Sequence, residues 1–410
     1  MNEPAIDGGR LWASLMELAQ LGATPAGGCN RQALTEIDAQ GRALFTSWAE
    51  TIGCRVHTDA IGNLFARRDG TDPDAPAILL GSHLDTQPTG GRFDGVYGVL
   101  AGLEVLRTLE DLGLHTRSPV IVASWTNEEG ARFPPAMMGS GAWAGEFDLE
   151  ATYATADKDG VTVREALSAI GALGETPAEP FPVKGAFELH IEQGPILEAE
   201  QKTIGVVTGV QGIRWYDLTL TGKPCHAGPT PMEVREDPVQ TLGEVLTRLY
   251  PIATDHAPWG RATVGDLVTE PGSRNTVPER IRVTVDLRHP DQEVLEAMHE
   301  RLGALCTEQN RRGAVQVDLE EIWYSPAIRF DDGCLDAIRT AVERTGDPSM
   351  EIVSGAGHDA AYVSRVAPTA MIFIPCRDGL SHNEAEYAKP EDITAGANVL
   401  LNAVLALDAS

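Results

Sequence analysis

The stretch GSHLDTQPTGGRFDGVYGVLAGLEVLR, residues 81–107, sets His83, Asp85 and Asp94 among glycines. A turn needs glycine, asparagine or proline for its backbone angles, but turning requires no imidazole and no carboxylate. His83 and Asp85 form a His-x-Asp pair, in which the carboxylate can accept the ring's second N–H and fix its tautomer, the usual support for a metal-bound imidazole. Asp94 stands where a helical pattern resumes and reads equally as a ligand or as a helix N-cap. Glu128 and Glu129 are adjacent and follow an apolar run; on a loop they can point one to a metal and one to a water, or both to solvent. His190, in AFELHIEQGP, ends a strand that buries Phe187 and Leu189, and is either a ligand or a core histidine. His382, in GLSHNEAEY, follows the apolar run at 369–374 by a short polar loop. Together these residues offer oxygen and nitrogen donors without a thiolate. That set suits a pair of divalent ions of the zinc, manganese, cobalt or nickel type, with room left for water.

Particular elements must bring such donors together. Residues 7–21 and 33–52 have helical periodicity, and Cys54–Ala66 reads as extended structure with a turn at Ile61-Gly62-Asn63. Aliphatic runs at 77–81 and 119–124 are separated by a helix from about 95 to 112. This alternation predicts an α/β fold with a mostly parallel sheet, whose ligands collect at the carboxyl ends of the strands. His83 follows one run and Asn127-Glu128-Glu129 the next, so the acids and the imidazole fall on one edge. The texture changes near residue 205: VVTGVQGIRWYDLTLTGKPCHAG alternates apolar and polar residues, as RIRVTVDLRH does at 280–289, with helical stretches at 237–250 and 291–312. The pattern predicts an inserted α+β domain over 213–327 with one antiparallel sheet. It divides a first domain of 1–212 and 328–410, which resumes with helices at 332–346 and 390–407 around the buried strand VAPTAMIFIP.

The totals agree with two domains, since single cores stop growing near roughly 250–300 residues and the chain has 410. Sixty acidic against 32 basic residues give a net charge of −28, which disfavours nucleic acid and anionic membrane surfaces as partners. No apolar run approaches the ~18 residues of a membrane span, and no signal-peptide pattern opens the chain. Six scattered cysteines without a C-x-x-C pair fit reduced thiols in a cytoplasmic protein. His57, His115, His256, His289 and His299 occupy contexts typical of surface, cap or strand-end histidines.

The motifs GSHLDTQPTGGRFDGVYGVLAGLEVL, TNEEGARFPPAMMGSGAWAG, LHIEQGPILE, GVQGIRWYDLTLTGKPCHAGPTPM, RNTVPERIRVTVDLRHP and GAGHDA…SHNEAEY occur in that order. Together they resemble the M20 metallopeptidase clan and, within it, the amidase branch of N-carbamoyl-L-amino acid hydrolases, β-ureidopropionases and allantoate amidohydrolases. The resemblance implies a dinuclear centre in which Asp94 bridges two divalent ions, His83 and His190 complete the protein ligands of one, and Glu129 and His382 those of the other. Glu128 would be the general base and Asp85 would orient His83. The inserted domain would be a lid and a dimerisation element of a homodimer, contributing His226 to stabilise an oxyanion in its own or the other subunit. Arg214, Asn275 and Arg288 would grip a substrate carboxylate, as a planar guanidinium beside an amide can. Arg288 also reads as a solvated face or a surface ion pair, and Asn275 as turn chemistry beside Arg274. Gly357 and His358, in GAGHDA, are expected to line the pocket without binding metal. Pro229 departs from the small hydroxyl residue expected there, and Ile213 stands where some relatives place a polar side chain. The implied activity is hydrolysis of the carbamoyl C–N bond of a small ureido acid, an N-carbamoyl-L-amino acid, to the amino acid, carbon dioxide and ammonia. Allantoate and β-ureidopropionate are the alternative substrates. A peptidase is disfavoured by NEEGARF and HIEQGP, and an inactive small-acid binder by the presence of Glu128, every ligand and His226.

Overall fold

The computed structural model describes residues 4–410. They divide into two compact units, one built from the described residues up to Gly209 together with Arg329–Ser410, the other from Val210–Ile328.

In the first unit, four strands run parallel at the centre of a nine-stranded sheet, in the order Val120–Trp125, Ala77–His83, Val183–Ile191 and Thr369–Ile374. They are buried along almost their whole length. Burial on both faces explains why their sequences are continuous aliphatic runs rather than alternating ones. Antiparallel strands extend the sheet on both sides, Leu64–Arg68 and Arg55–Thr58 on one and Ile204–Val210 on the other. The helix Val96–Asp111 is buried from Val96 to Leu109, because it lies between the sheet and the helices Gly8–Leu18 and Pro390–Asp408. Among the described residues no helix is long and apolar enough to cross a membrane.

The second unit has a four-stranded antiparallel sheet in the order Gln316–Ser325, Gly212–Thr221, Arg280–His289, Arg261–Glu270. Its strands do alternate. Ile281, Val283, Val285 and Leu287 are buried with Tyr216, Leu218 and Leu220 against the helices Pro238–Thr254 and Gln292–Arg312. The run from 205 that reads as one alternating strand is two, Ile204–Val210, which lies in the first unit up to Gly209, and Gly212–Thr221 in the second. Three short helices, Met138–Trp143, Leu149–Ala154 and Val163–Ala169, have no counterpart in the sequence reading, since six or seven residues are too few to display a helical period.

Candidate metal centre

Each of the four parallel strands delivers one candidate donor at its carboxyl end. In sheet order these are Glu129 after Val120–Trp125, His83 closing Ala77–His83, His190 in Val183–Ile191, and His382 on the loop after Thr369–Ile374. Asp94 comes from the turn after the His83 strand. It is not an N-cap: Gly95 holds that place in the following helix, and no side chain caps it. Instead the two Asp94 oxygens face two different groups. Oδ1 lies 3.1 Å from His190 Nε2 and 3.8 Å from His83 Nε2, while Oδ2 lies 3.4 Å from His382 Nε2. Glu129 Oε2 is 3.2 Å from the same His382 nitrogen. Two triads of candidate donors therefore share Asp94: His83–Asp94–His190 and Asp94–Glu129–His382. Glu128 stands beside them, its Oε2 3.4 Å from His83 Nε2.

Two of the imidazoles are held in one tautomer. His83 Nδ1 is 2.9 Å from the Asp85 carbonyl and His190 Nδ1 2.9 Å from the Ile191 carbonyl. A carbonyl only accepts, so both Nδ1 atoms carry the proton and both Nε2 atoms present a lone pair toward Asp94. The expectation that the Asp85 carboxylate orients His83 is corrected here, for its Oδ1 is 4.0 Å from the ring. That carboxylate instead accepts the N–H groups of Glu128 and Glu129, each at 3.2 Å. Asp85 thus orients His83 through its main chain and the Glu128-Glu129 loop through its side chain.

Lone pairs and carboxylate oxygens cannot stand opposed in a buried site unless positive charge lies between them. Protons can fill that place: against the opposing effect of burial, Asp94 raises His190 to about 9. The Glu129 hydrogen bond, also against burial, raises His382 to about 9. Burial first, and then the charges of Asp359, Glu129, Asp85 and Asp94, push Glu128 well above the usual carboxylate range. Such a donor set, all oxygen and nitrogen and short of cations, fits divalent metal. Three non-glycine residues at the centre adopt left-handed backbone, Asn127 at φ 54°, Gln193 at φ 56° and His382 at φ 52°. Each such residue costs roughly 1–3 kcal/mol, a strain that collects at functional sites.

His358 packs its ring edge on His190, with centroids 4.6 Å apart, and its Nε2 lies 2.9 Å from Ser354 Oγ. Gly357 is in the same loop, against the Met137 thioether.

The second unit holds the other expected residues. Cys225–His226 pairs antiparallel with Thr276–Val277, and Ala227 N–H donates to the Asn275 carbonyl at 2.9 Å, which brings His226 and Asn275 together on one two-stranded ladder. Gly228 N–H donates to His226 Nδ1 at 3.1 Å, leaving the proton of the neutral ring on the exposed Nε2. Arg288 binds both Asp286 oxygens, at 2.9 and 3.1 Å through Nε, and Trp215 Nε1 donates to the same carboxylate at 2.7 Å. Arg214 departs from expectation. Its side chain lies on the helix-covered face with Tyr216, ion-paired to Glu296 and Glu321 and stacked 4.1 Å over the Tyr324 ring. A buried guanidinium committed to two carboxylates presents no fork to a ligand, so Arg214 leaves the substrate-binding set.

A sequence profile described as peptidase family M20/M25/M40 matches residues 79–406. The chain belongs to this family. Among its relatives, the N-carbamoyl-L-amino-acid amidohydrolase of Rhizobium meliloti is 47% identical over 400 residues, covering 98% of this chain and 96% of that one. The allantoate amidohydrolase of Bacillus subtilis (strain 168) is 33% identical over 387 residues, covering 93% of each. A solved amidase of the hydantoinase/carbamoylase family from Burkholderia multivorans superposes with a TM-score of 0.96 at 52% identity, over 99% of both chains. Enzymes of the M20 family depend on metal, and this member presents candidate metal-binding groups.

Sequence reasoning missed a layer of residues that hold these candidate donors. Gln87 binds both Glu129 oxygens, through its N–H at 3.1 Å and its side-chain amide at 2.8 Å. Gln193 and Ser381 donate to Asp94 Oδ2 at 3.0 and 2.7 Å. The buried Glu386 accepts from the N–H groups of Phe93 and Asp94 at 2.9 and 3.2 Å. All four lie inside the quoted motifs. The available signal was polar side chains in loops whose turns do not require them.

Proposed function

We propose that the chain is a metal-dependent amidohydrolase that cleaves the carbamoyl C–N bond of N-carbamoyl-L-amino acids, releasing the amino acid, carbon dioxide and ammonia. The observation that carries this reading is Asp94, whose two oxygens each face a separate set of nitrogen donors. In it, His83, His190 and Asp94 hold one divalent ion, and Asp94, Glu129 and His382 the other. Zinc, manganese, cobalt and nickel all suit the donors. When bound, such ions polarise a carbonyl and make water easier to deprotonate.

The chain's own groups do the rest. Glu128 is buried with one oxygen toward the first triad, where it takes a proton from the attacking water and returns it to the leaving nitrogen. Gln87, Gln193, Ser381 and the Asp85 carboxylate keep the donors and the Glu128-Glu129 loop in place. In the inserted domain, His226 offers the Nε2–H that an oxyanion needs. Asn275, Arg288 and the main chain at Gly357 recognise the substrate carboxylate and its surroundings. The relatives' names support the ureido class, and the higher identity to the N-carbamoyl-L-amino-acid amidohydrolase favours that substrate over allantoate. The reading includes a homodimer joined through the inserted domain and a reducing, cytoplasmic setting, in keeping with six unpaired cysteines.

The test is ammonia release from N-carbamoyl-L-amino acids, allantoate and β-ureidopropionate, before and after chelation and with zinc or manganese restored. N-carbamoyl-L-amino acids are expected to be the best substrates, with release lost on chelation and regained with metal. Glu128→Gln is expected to keep its metal and lose about 10²–10⁴-fold in turnover. No release from any ureido substrate at full metal loading would leave a small-acid-binding protein instead.

A further inference from the structure

Arg31 is a buried cation that the chemistry above does not use. It is 1% exposed. Its Nε donates to the Leu84 carbonyl at 2.9 Å, and one amino nitrogen donates to the carbonyls of Leu18 at 3.1 Å and Leu21 at 2.9 Å. The same nitrogen is 3.3 Å from Cys29 Sγ. Burying a guanidinium among carbonyls is costly, and an apolar side chain would fill the space at less cost. What the apolar side chain lacks is a rigid fork that ties the end of the Gly8–Leu18 helix to the loop beginning at Leu84.

The main chain grips the same loop. Arg31 N–H donates to Thr86 Oγ1 at 2.8 Å, and Thr86 N–H donates back to the Arg31 carbonyl at 3.0 Å. Cys29 and Gly90 exchange two N–H···O bonds at 2.9 and 3.0 Å. The loop held in this way carries Asp85 and Gln87, which fix the Glu128 and Glu129 backbone and both Glu129 oxygens. The same segment reaches the other donor loop. Thr24 Oγ1 donates to Glu384, two residues past His382. Gly28 lies so close that a Cβ there would overlap both the Gly90 carbonyl and the Glu384 backbone.

We propose that Arg31 is a positioning residue of the metal centre, and that Thr24–Arg31 is a clip setting the separation between the Leu84–Gly90 loop and the His382 loop. The inference rests on the dinuclear reading, because it concerns how the donors of the second triad are kept at ligand spacing. Lysine keeps the charge but lacks the planar fork that spans two elements at once, so Arg31→Lys should recover only part of the function.

Zinc binding by competition with a chromophoric chelator tests the clip on the full chain, alongside circular dichroism and thermal unfolding. Arg31→Gln should weaken binding of at least one zinc by about 10–100-fold, the usual effect of removing a group that orients ligands. If Arg31→Gln fails to fold, Thr86→Val decides, since it cuts the clip on the loop side and leaves the guanidinium in place; it should weaken zinc several-fold. Arg107→Met is the control, another buried arginine of the same unit, bonded to Ser14 at 2.9 Å on the helix side; it should lower thermal stability without changing zinc affinity. Folded Arg31→Gln and Thr86→Val proteins with the parent's zinc affinity would overturn the inference, as would an equal loss in the control or full recovery by lysine. A parent chain that binds no zinc would instead remove the dinuclear reading, and the clip with it.

Discussion

Gly95 performs two tasks that no other residue type combines. Its φ of 65° is left-handed, and a Cβ there would overlap the His83 ring. Its N–H meanwhile donates to His190 Nε2 at 3.0 Å. Gly95→Ala is therefore expected to displace His83, reducing bound zinc by about one ion per chain while the second unit stays folded; elemental analysis of gel-filtered protein measures this, and a full complement would refute it. At this scale the sequence displays the candidate donors themselves, because a turn requires neither an imidazole nor a carboxylate, and a cap, a solvated loop or a core histidine explains each of them singly but not the set. It does not display Gln87, Gln193, Ser381 or Glu386, whose work depends on which loop they meet in space. Asp85 shows the same limit: its proximity to His83 along the chain points to a carboxylate–imidazole bond, but the loop turns its carboxylate onto the Glu128 and Glu129 amides.

Elements decide which donors meet. The four parallel strands were legible as aliphatic runs followed by polar loops, and the rule that ligands gather at carboxyl ends of such strands put the acids and imidazoles on one edge. Strands Arg261–Glu270 and Gln316–Ser325 were not legible. Both lie at sheet edges and are interrupted in register, between Val283 and Val285 for the first pairing and between Glu321 and Trp323 for the second, so their apolar period is broken. One side chain shows how an element is aimed. Asn63 is fully buried, accepts Thr126 N–H at 2.9 Å, and donates to Asp59 at 2.8 Å and to the Gly139 carbonyl at 3.0 Å. It thereby ties the Leu64–Arg68 hairpin to both ends of the segment that carries Glu128. Asn63→Ala should cost about 1–3 kcal/mol for each buried partner left unmade. Thermal unfolding should show the loss, and turnover should fall as the Glu128 loop loosens; an unchanged melting temperature would show that the network is dispensable.

For the molecule as a whole, the division into two compact units matters most. The core of Val210–Ile328 is assembled from its own residues, from Tyr216 to Val317, so that unit needs no apolar contribution from the rest of the chain. The first unit likewise closes on itself, with Phe330 N–H donating to the Thr208 carbonyl at 3.0 Å. Replacing Val210–Ile328 by a short glycine-serine turn is therefore expected to give a folded protein that binds zinc but turns over no ureido substrate. Calorimetry and chelator competition check it, and an unfolded product would show that the two units stabilise each other.

The Thr208–Phe330 bond also bears on how such a chain changes over time. The polypeptide departs and re-enters at neighbouring rungs of one ladder, so the closure entropy that a long excursion would impose has already been met by the sheet. A socket of this kind lets a gene exchange the cassette it carries while the strands that present the imidazoles keep their register.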